Sequence, residues 1–297
     1  MVNLRLLKDR LSQKIFLGLS LFSILTVVLI AVGLYYKSTP LLHSSSLSNL
    51  LFSEDWKPFK EQFGFWSYIV GSIVVTVIAI VIALPLALLA AIYISEFAPH
   101  RLKQILIPFI DLLSGIPPVI YGVWGTLTIV PFIQDKLAPH FVEFSSGYSA
   151  LAGGIVLAVM IFPLIISILL EVFNTIPQEL RDASLSLGAN DWETIKKVVL
   201  KKAVPGIIAA TVLAISRALG ETIAVLMVCG NMPMIPHSLF DSVYPLPALI
   251  ANNYGDMMSI PMYDAALMFA ALILFVIILV FNATSRFILY RLEKKNS

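Results

Sequence analysis

Charged residues make up only 13% of this 297-residue chain, against about 25% in soluble globular domains. With 59% hydrophobic residues and a mean hydropathy of +0.91, it cannot cover a surface facing water and is read as an integral membrane protein. A net charge of +2 is too small to suggest nucleic acid. The lone cysteine, Cys229, excludes an internal disulfide and leaves the redox compartment unspecified. His43, His100, His140 and His237 lie far apart, none with a metal-ligand partner at helical spacing, so no metal site is expected. No Gly-Lys dipeptide occurs, which excludes the usual phosphate-cradling P-loop. The chain is therefore expected to bind no cofactor itself, and any ATP it depends on must be hydrolysed by a partner. No His-Glu-x-x-His pair and no nucleophile beside a base falls within an apolar run, which argues against a membrane-embedded hydrolase.

What is abundant is uninterrupted apolar sequence. Charge-free runs cover Ile15–Tyr36, Tyr68–Ile94, Leu112–Gln134, Ala150–Leu170 and Ala265–Ser285. Each is near or above the ~18–20 residues that cross a bilayer. A further run, Pro205–Cys229, is interrupted only by Arg217 and Glu221. The expected fold is all-α with about six transmembrane helices, at 15–36, 68–94, 108–134, 150–173, 205–229 and 263–285, the third broken at 115–118. The first run exceeds the ~7–15-residue core of a cleaved signal peptide and reads as a retained signal-anchor helix.

Lysine and arginine set the orientation. One side carries Arg5, Lys8, Arg10, Lys14, Arg101, Lys103, Arg181, Lys196, Lys197, Lys201, Lys202, Arg286, Arg291, Lys294 and Lys295; the other has only Lys37, Lys57, Lys60 and Lys136. Both termini are therefore expected in the cytoplasm, with segments 1–14, 95–107, 174–204 and 286–297 on that side. Loops 37–67, 135–149 and 230–262 are expected outside. The aromatics of 37–67 suit the headgroup belt or a docking surface, and the Pro- and Met-rich 230–262 loop leaves a return into the membrane open.

Three motifs stand out against this background. Arg217 and Glu221 are four residues apart, so on one helix they share a face. A rise of about 1.5 Å per residue puts Arg217 roughly 18 Å in from Pro205, near mid-bilayer. A charge there costs at least ~2.5–3.5 kcal/mol, so the pair is either functional or a buried packing contact. Arginine offers a planar fork of donors that suits an oxyanion, and a neighbouring carboxylate would keep binding weak enough for release. In the third span, Ser114-Gly115-Ile116-Pro117-Pro118 removes two backbone donors in succession. It is either a pathway-lining break or an ordinary proline kink. In the 174–204 segment, Leu180, Ala183 and Leu187 keep helical spacing and Gly188 stands as a stop. A short helix there, including Asp182 and Ser184, either docks in a partner's groove or rests on the headgroups.

Asp182-Ala183-Ser184-x-x-x-Gly188, with Val198-x-Leu200 ten residues on, resembles the coupling loop of ABC importer permeases. Here Asp182 replaces Glu, Ser184 replaces Ala, and Lys201 stands where that family has proline. Trp56-x-Pro58…Phe63-Gly64, Ala98-Pro99, Gly115-Ile116-Pro117…Tyr121-Gly122-x-Trp124-Gly125 and Arg217-Ala218-Leu219-Gly220-Glu221-Thr222 resemble, more narrowly, the PstC-type permeases of bacterial phosphate importers. That resemblance implies an inner-membrane permease without enzymatic activity. It also implies a PstA-like second permease, two PstB-like ATPases that bind the ATP, and a periplasmic phosphate-binding protein. It places Arg217 and Glu221 on the substrate pathway and Asp182–Gly188 against an ATPase. The residues themselves leave open another oxyanion such as sulfate, or a stand-alone anion transporter.

Overall fold

The computed structural model describes residues 2–255 and 260–296. Residues 256–259 of the expected 230–262 loop, and the side chains of Arg5, Lys8, Arg10 and Lys295 used in the charge count, lie outside the described residues. The chain order is α1 (Val2–Ser44), α2 (Leu47–Phe52), a hairpin of β1 (Trp56–Lys57) and β2 (Gln62–Phe63), then α3 (Trp66–Phe97) and α4 (His100–Ser114). It continues with α5 (Pro118–His140), α6 (Ala150–Asn174), α7 (Gln178–Ser186), α8 (Asp191–Leu219), α9 (Ile223–Val228), α10 (Leu246–Asn253) and α11 (Tyr263–Asn296). Five helices, α1, α3, α6, α8 and α11, are long and apolar enough to span a bilayer. The bent pair α4 and α5, meeting at 90°, makes a sixth crossing if taken together.

Two expectations about helix ends require correction. The helix expected at 205–229 begins at Asp191 and stops at Leu219, so 174–204 is not a loop running to Pro205. Asn190 starts it by accepting the Glu193 amide on its side chain at 2.8 Å, an N-cap that satisfies one of the orphan donors of the first turn. Pro205 then sits inside the helix, where it forfeits one bond without ending it, and Gly206 beside it packs on Val172 of α6. The last helix likewise runs on through residues expected as a separate tail from 286.

Lipid gives helices no hydrophobic reason to associate, so close packing must come from small side chains. On α3, Val75, Ala79, Ala83, Ala87 and Ala91 recur every fourth residue, and none is more than 2% exposed. This stripe packs on α6, where a Cβ on Gly154 would lie 2.6 Å from Ile78 Cβ. The α3–α6 pair is the centre of the larger core, with α8 laid against both through Ala203, Ala210 and Ala214.

The 37–67 segment does more than line a headgroup belt. Trp56 stands edge-on to Phe63, Phe65, Tyr68 and Tyr263 at centroid distances of 5.3, 5.4, 4.9 and 5.9 Å, forming a second core over one end of α3 and α11. Only Phe52 and Phe59 keep the exposure a belt would need. The described part of the 230–262 loop folds onto the same end. Gly230 bridges to Val243, and the Leu246 amide donates to Ser72 Oγ at 2.8 Å.

Gly154→Val is expected to destabilise the bundle by about 1–3 kcal/mol through overpacking against Ile78. Gly18, with nothing within 4 Å of an added Cβ, provides the matched comparison. Thermal unfolding of the two valine variants in detergent checks this: only Gly154→Val should lower the transition.

Candidate functional site

Two interruptions of helix meet inside the bundle. At the first, α4 closes through Gly115, whose amide reaches the Asp111 and Leu112 carbonyls at 3.2 and 3.1 Å. Pro117 takes an extended conformation and Pro118 opens α5, a position where a missing N–H costs nothing. The two prolines leave carbonyls of the α4 terminus without helical donors. The Leu113 carbonyl takes the Ile116 amide at 3.3 Å and, more closely, the Tyr121 hydroxyl, which donates to it at 2.8 Å. The inside of the bend is an open hollow of about 690 Å³ lined by Pro108, Asp111, Leu112, Gly115, Ile116 and Pro117. Ser114, last in α4, is half-buried.

The second interruption corrects the expected pair. Helix α8 ends at Leu219, and Gly220, Glu221 and Thr222 are not helical before α9 starts at Ile223. Glycine is a poor helix former, and Glu221 is instead used as a cap, its Oε1 accepting the Ala224 amide at 3.2 Å. Glu221 therefore does not lie one turn beyond Arg217 on a shared face. Among the described residues the exposed Arg217 guanidinium makes no ion pair and no hydrogen bond.

The two breaks are held together by α5 and α9. A Cβ on Gly122 would lie 2.7 Å from Met227 Sδ and 3.2 Å from Ala224 Cα, so its absence lets the two backbones touch. Gly125 similarly faces Val156 and Val228, and Thr126 Oγ1 donates to the Met227 carbonyl at 3.2 Å. The glycines of Tyr121-Gly122-x-Trp124-Gly125 are thus the seat of α9. Sequence reasoning named Arg217 and the Ser114–Pro118 break separately. It missed Tyr121 as the donor across the first break, although a tyrosine one turn after a double proline is a visible signal.

A second cluster of motif residues lies on α7. The helix ends in a left-handed residue, Gly188 at φ +85. The Gly188 amide reaches the Leu185 carbonyl at 2.9 Å and the Ala189 amide reaches that of Ser184 at 3.3 Å, a Schellman closure. Asp182 and Ala183 are exposed, while Ser184 is half-buried with its hydroxyl 2.9 Å from that of Thr194. Leu187 is 90% exposed, and Leu185 and Trp192 add apolar surface beside it. Arg181, counted from the sequence only for orientation, turns inward to Glu96 at the end of α3.

The chain is thus an α-helical membrane bundle with a broken-helix centre and a short helix at one end, a fold it shares with ABC importer permeases of known structure. The chain matches the family described as binding-protein-dependent transport system inner membrane component over residues 83–297, and it belongs to that family. It is 35% identical over 290 residues to the phosphate transport system permease protein PstC of Mesorhizobium japonicum, covering 92% of this chain and 88% of that protein. A probable phosphate transport system permease protein PstC of Methanocaldococcus jannaschii is 35% identical over 288 residues, covering 92% and 91%. Among solved structures, an inward-facing MetNI methionine ABC transporter chain matches with a TM-score of 0.56 at 20% identity, covering 77% of this chain and 94% of that one.

Tyr121→Phe is expected to loosen the first break, at a cost of about 0.5–1.5 kcal/mol for the lost hydrogen bond, while leaving the α5–α9 seat intact. A lowered thermal transition in detergent, smaller than that of Gly122→Val, whose added side chain would break the seat, is the expected result.

Proposed function

We propose that this chain is the permease subunit of an ATP-driven phosphate importer in the bacterial cytoplasmic membrane, with both termini in the cytoplasm. The observation that carries this reading is Arg217, a guanidinium without counter-charge among the described residues, on an apolar helix where two helix breaks meet. An unpaired charge inside a membrane is costly unless it faces water, a ligand or a second protein surface. Phosphate matches the guanidinium in charge and in donor geometry. In this reading Arg217 is the transient anion contact, and Glu221 on the substrate pathway fixes the start of α9 beside it. Ser114, Gly115, Pro117 and Pro118 line the pathway at the bend. The similarity to PstC permeases over most of the chain supports phosphate as the anion.

The chain supplies one half of a pathway, and a PstA-like permease supplies the other. Residues Asp182, Ala183, Ser184, Leu187 and Gly188 dock into a cleft of one of two PstB-like ATPases, which bind and hydrolyse the ATP. The exposed Leu187 at the tip of α7 supports this, since a leucine 90% exposed beside Leu185 and Trp192 is an apolar contact awaiting a groove. A periplasmic phosphate-binding protein delivers the anion.

In vesicles carrying the assembled complex, ATP-dependent phosphate uptake is expected with this chain and not without it. Arg217→Gln should assemble yet cut uptake by about tenfold or more, the factor that loss of one charge-assisted hydrogen bond represents. Wild-type uptake by that variant would remove Arg217 from the pathway. Uptake of sulfate but not phosphate would overturn the phosphate assignment while leaving the importer reading intact. Separately, Leu187→Asp is expected to abolish co-purification of the ATPase without lowering the amount of folded permease.

A further inference from the structure

We infer that Arg181 and Glu96 form a strut that passes movement of α7 to the α3–α6 pair; this rests on the reading of α7 as the ATPase-docking helix. The Arg181 guanidinium uses both edges. Its Nε donates to Glu96 Oε2 at 3.1 Å and its Nη2 to Glu96 Oε1 at 2.9 Å, a bidentate pair with side chains only 13% and 11% exposed. The same group donates from Nη1 to the Ile176 carbonyl at 2.7 Å and from Nη2 to the Phe173 carbonyl at 3.2 Å. Helix α6 ends at Asn174, so the Phe173 carbonyl is among the terminal acceptors that no further helical turn can satisfy. Ser95 Oγ donates to Glu96 Oε1 at 3.0 Å and fixes the carboxylate from its own chain.

One side chain on α7 therefore grips the end of α3 by charge and the end of α6 by its carbonyls. Its fork makes all four contacts from a planar group, which a lysine ammonium cannot do. The tether from α7 to the base of α8 is weaker, the neutral hydroxyl contact of Ser184 with Thr194 at 2.9 Å. Glu96 also lies within a wide π turn, Tyr93–Phe97, where α3 departs from regular α-helix. A displacement of α7 thus reaches the most closely packed helix pair of the bundle through a group that resists separation, at a turn where α3 can yield. Arg181 and Glu96 are positioning residues: neither lies at the breaks where the anion is proposed to pass.

The test uses the complete complex reconstituted in vesicles, with phosphate moved per ATP hydrolysed as the readout. Glu96→Gln keeps a hydrogen-bonding side chain and leaves the Arg181 contacts to Phe173 and Ile176 in place. It is expected to lower that ratio by about fivefold or more, the low end of coupling between sites. ATPase co-purification, and a crosslink from Leu187→Cys to the ATPase, should stay at the level of the otherwise wild-type complex. Arg181→Lys, which keeps the charge but not the fork, should fall in the same direction by less and serves if the first variant assembles poorly. A wild-type ratio in both variants, even with lowered thermal stability, would overturn the strut and leave a purely structural ion pair. Failure of the Leu187→Cys crosslink in the wild-type background would overturn the docking reading itself, and the strut with it.

Discussion

A backbone carbonyl or amide that loses its partner in hydrocarbon costs several kcal/mol, and no water is at hand to replace it. That constraint decides where this chain is regular and where it is permitted to break. Along α11, and along α3 and α6 away from Pro85, Pro163 and the Tyr93–Phe97 turn, the backbone bonds are made within each helix, and the side chains are left the task of close approach. Three departures carry their own compensation. Tyr121 donates across the double proline, Glu221 caps the restart at α9, and Arg181 collects carbonyls where α6 ends.

The broken centre and the projecting helix are parts of one mechanical element. Helix α8 runs for 29 residues, from a capped start next to α7 to the arginine at the second break. At about 1.5 Å per residue, roughly 39 Å of continuous helix separates Asp191 from Arg217. A helix of that length transmits tilt better than a loop feeding a helix at Pro205 could. Under the proposed function, motion at the ATPase face thus has a direct route to the anion contact.

Much of this was legible in the sequence. The apolar runs located the spans, because length and lack of charge are sufficient for that. The double proline marked the first break, since no helix passes two missing donors and a ring clash without disturbance. Gly188 marked the end of α7, and it does occupy the left-handed conformation that favours glycine. Other features were not legible. Periodicity through Pro205–Cys229 suggested one helix and a paired Arg217 and Glu221, whereas Gly220 ends the helix and turns the glutamate to capping. The aromatics of 37–67 looked like a belt because composition cannot tell a wet edge from a small packed core.

The sequence by itself determined how many times this chain could cross a bilayer, which end is basic, and where proline and glycine forbid regular helix. These follow from properties that each residue carries alone: hydropathy, charge, a ring or a missing Cβ. Only the tertiary structure decided that the two breaks lie together, that Arg217 stands without a counter-charge among the described residues, and that Arg181 reaches a glutamate 85 positions away. Those are matters of which helices touch. Contact between helices in lipid depends on the matching of small residues along whole faces, a property of pairs that no single stretch of sequence displays.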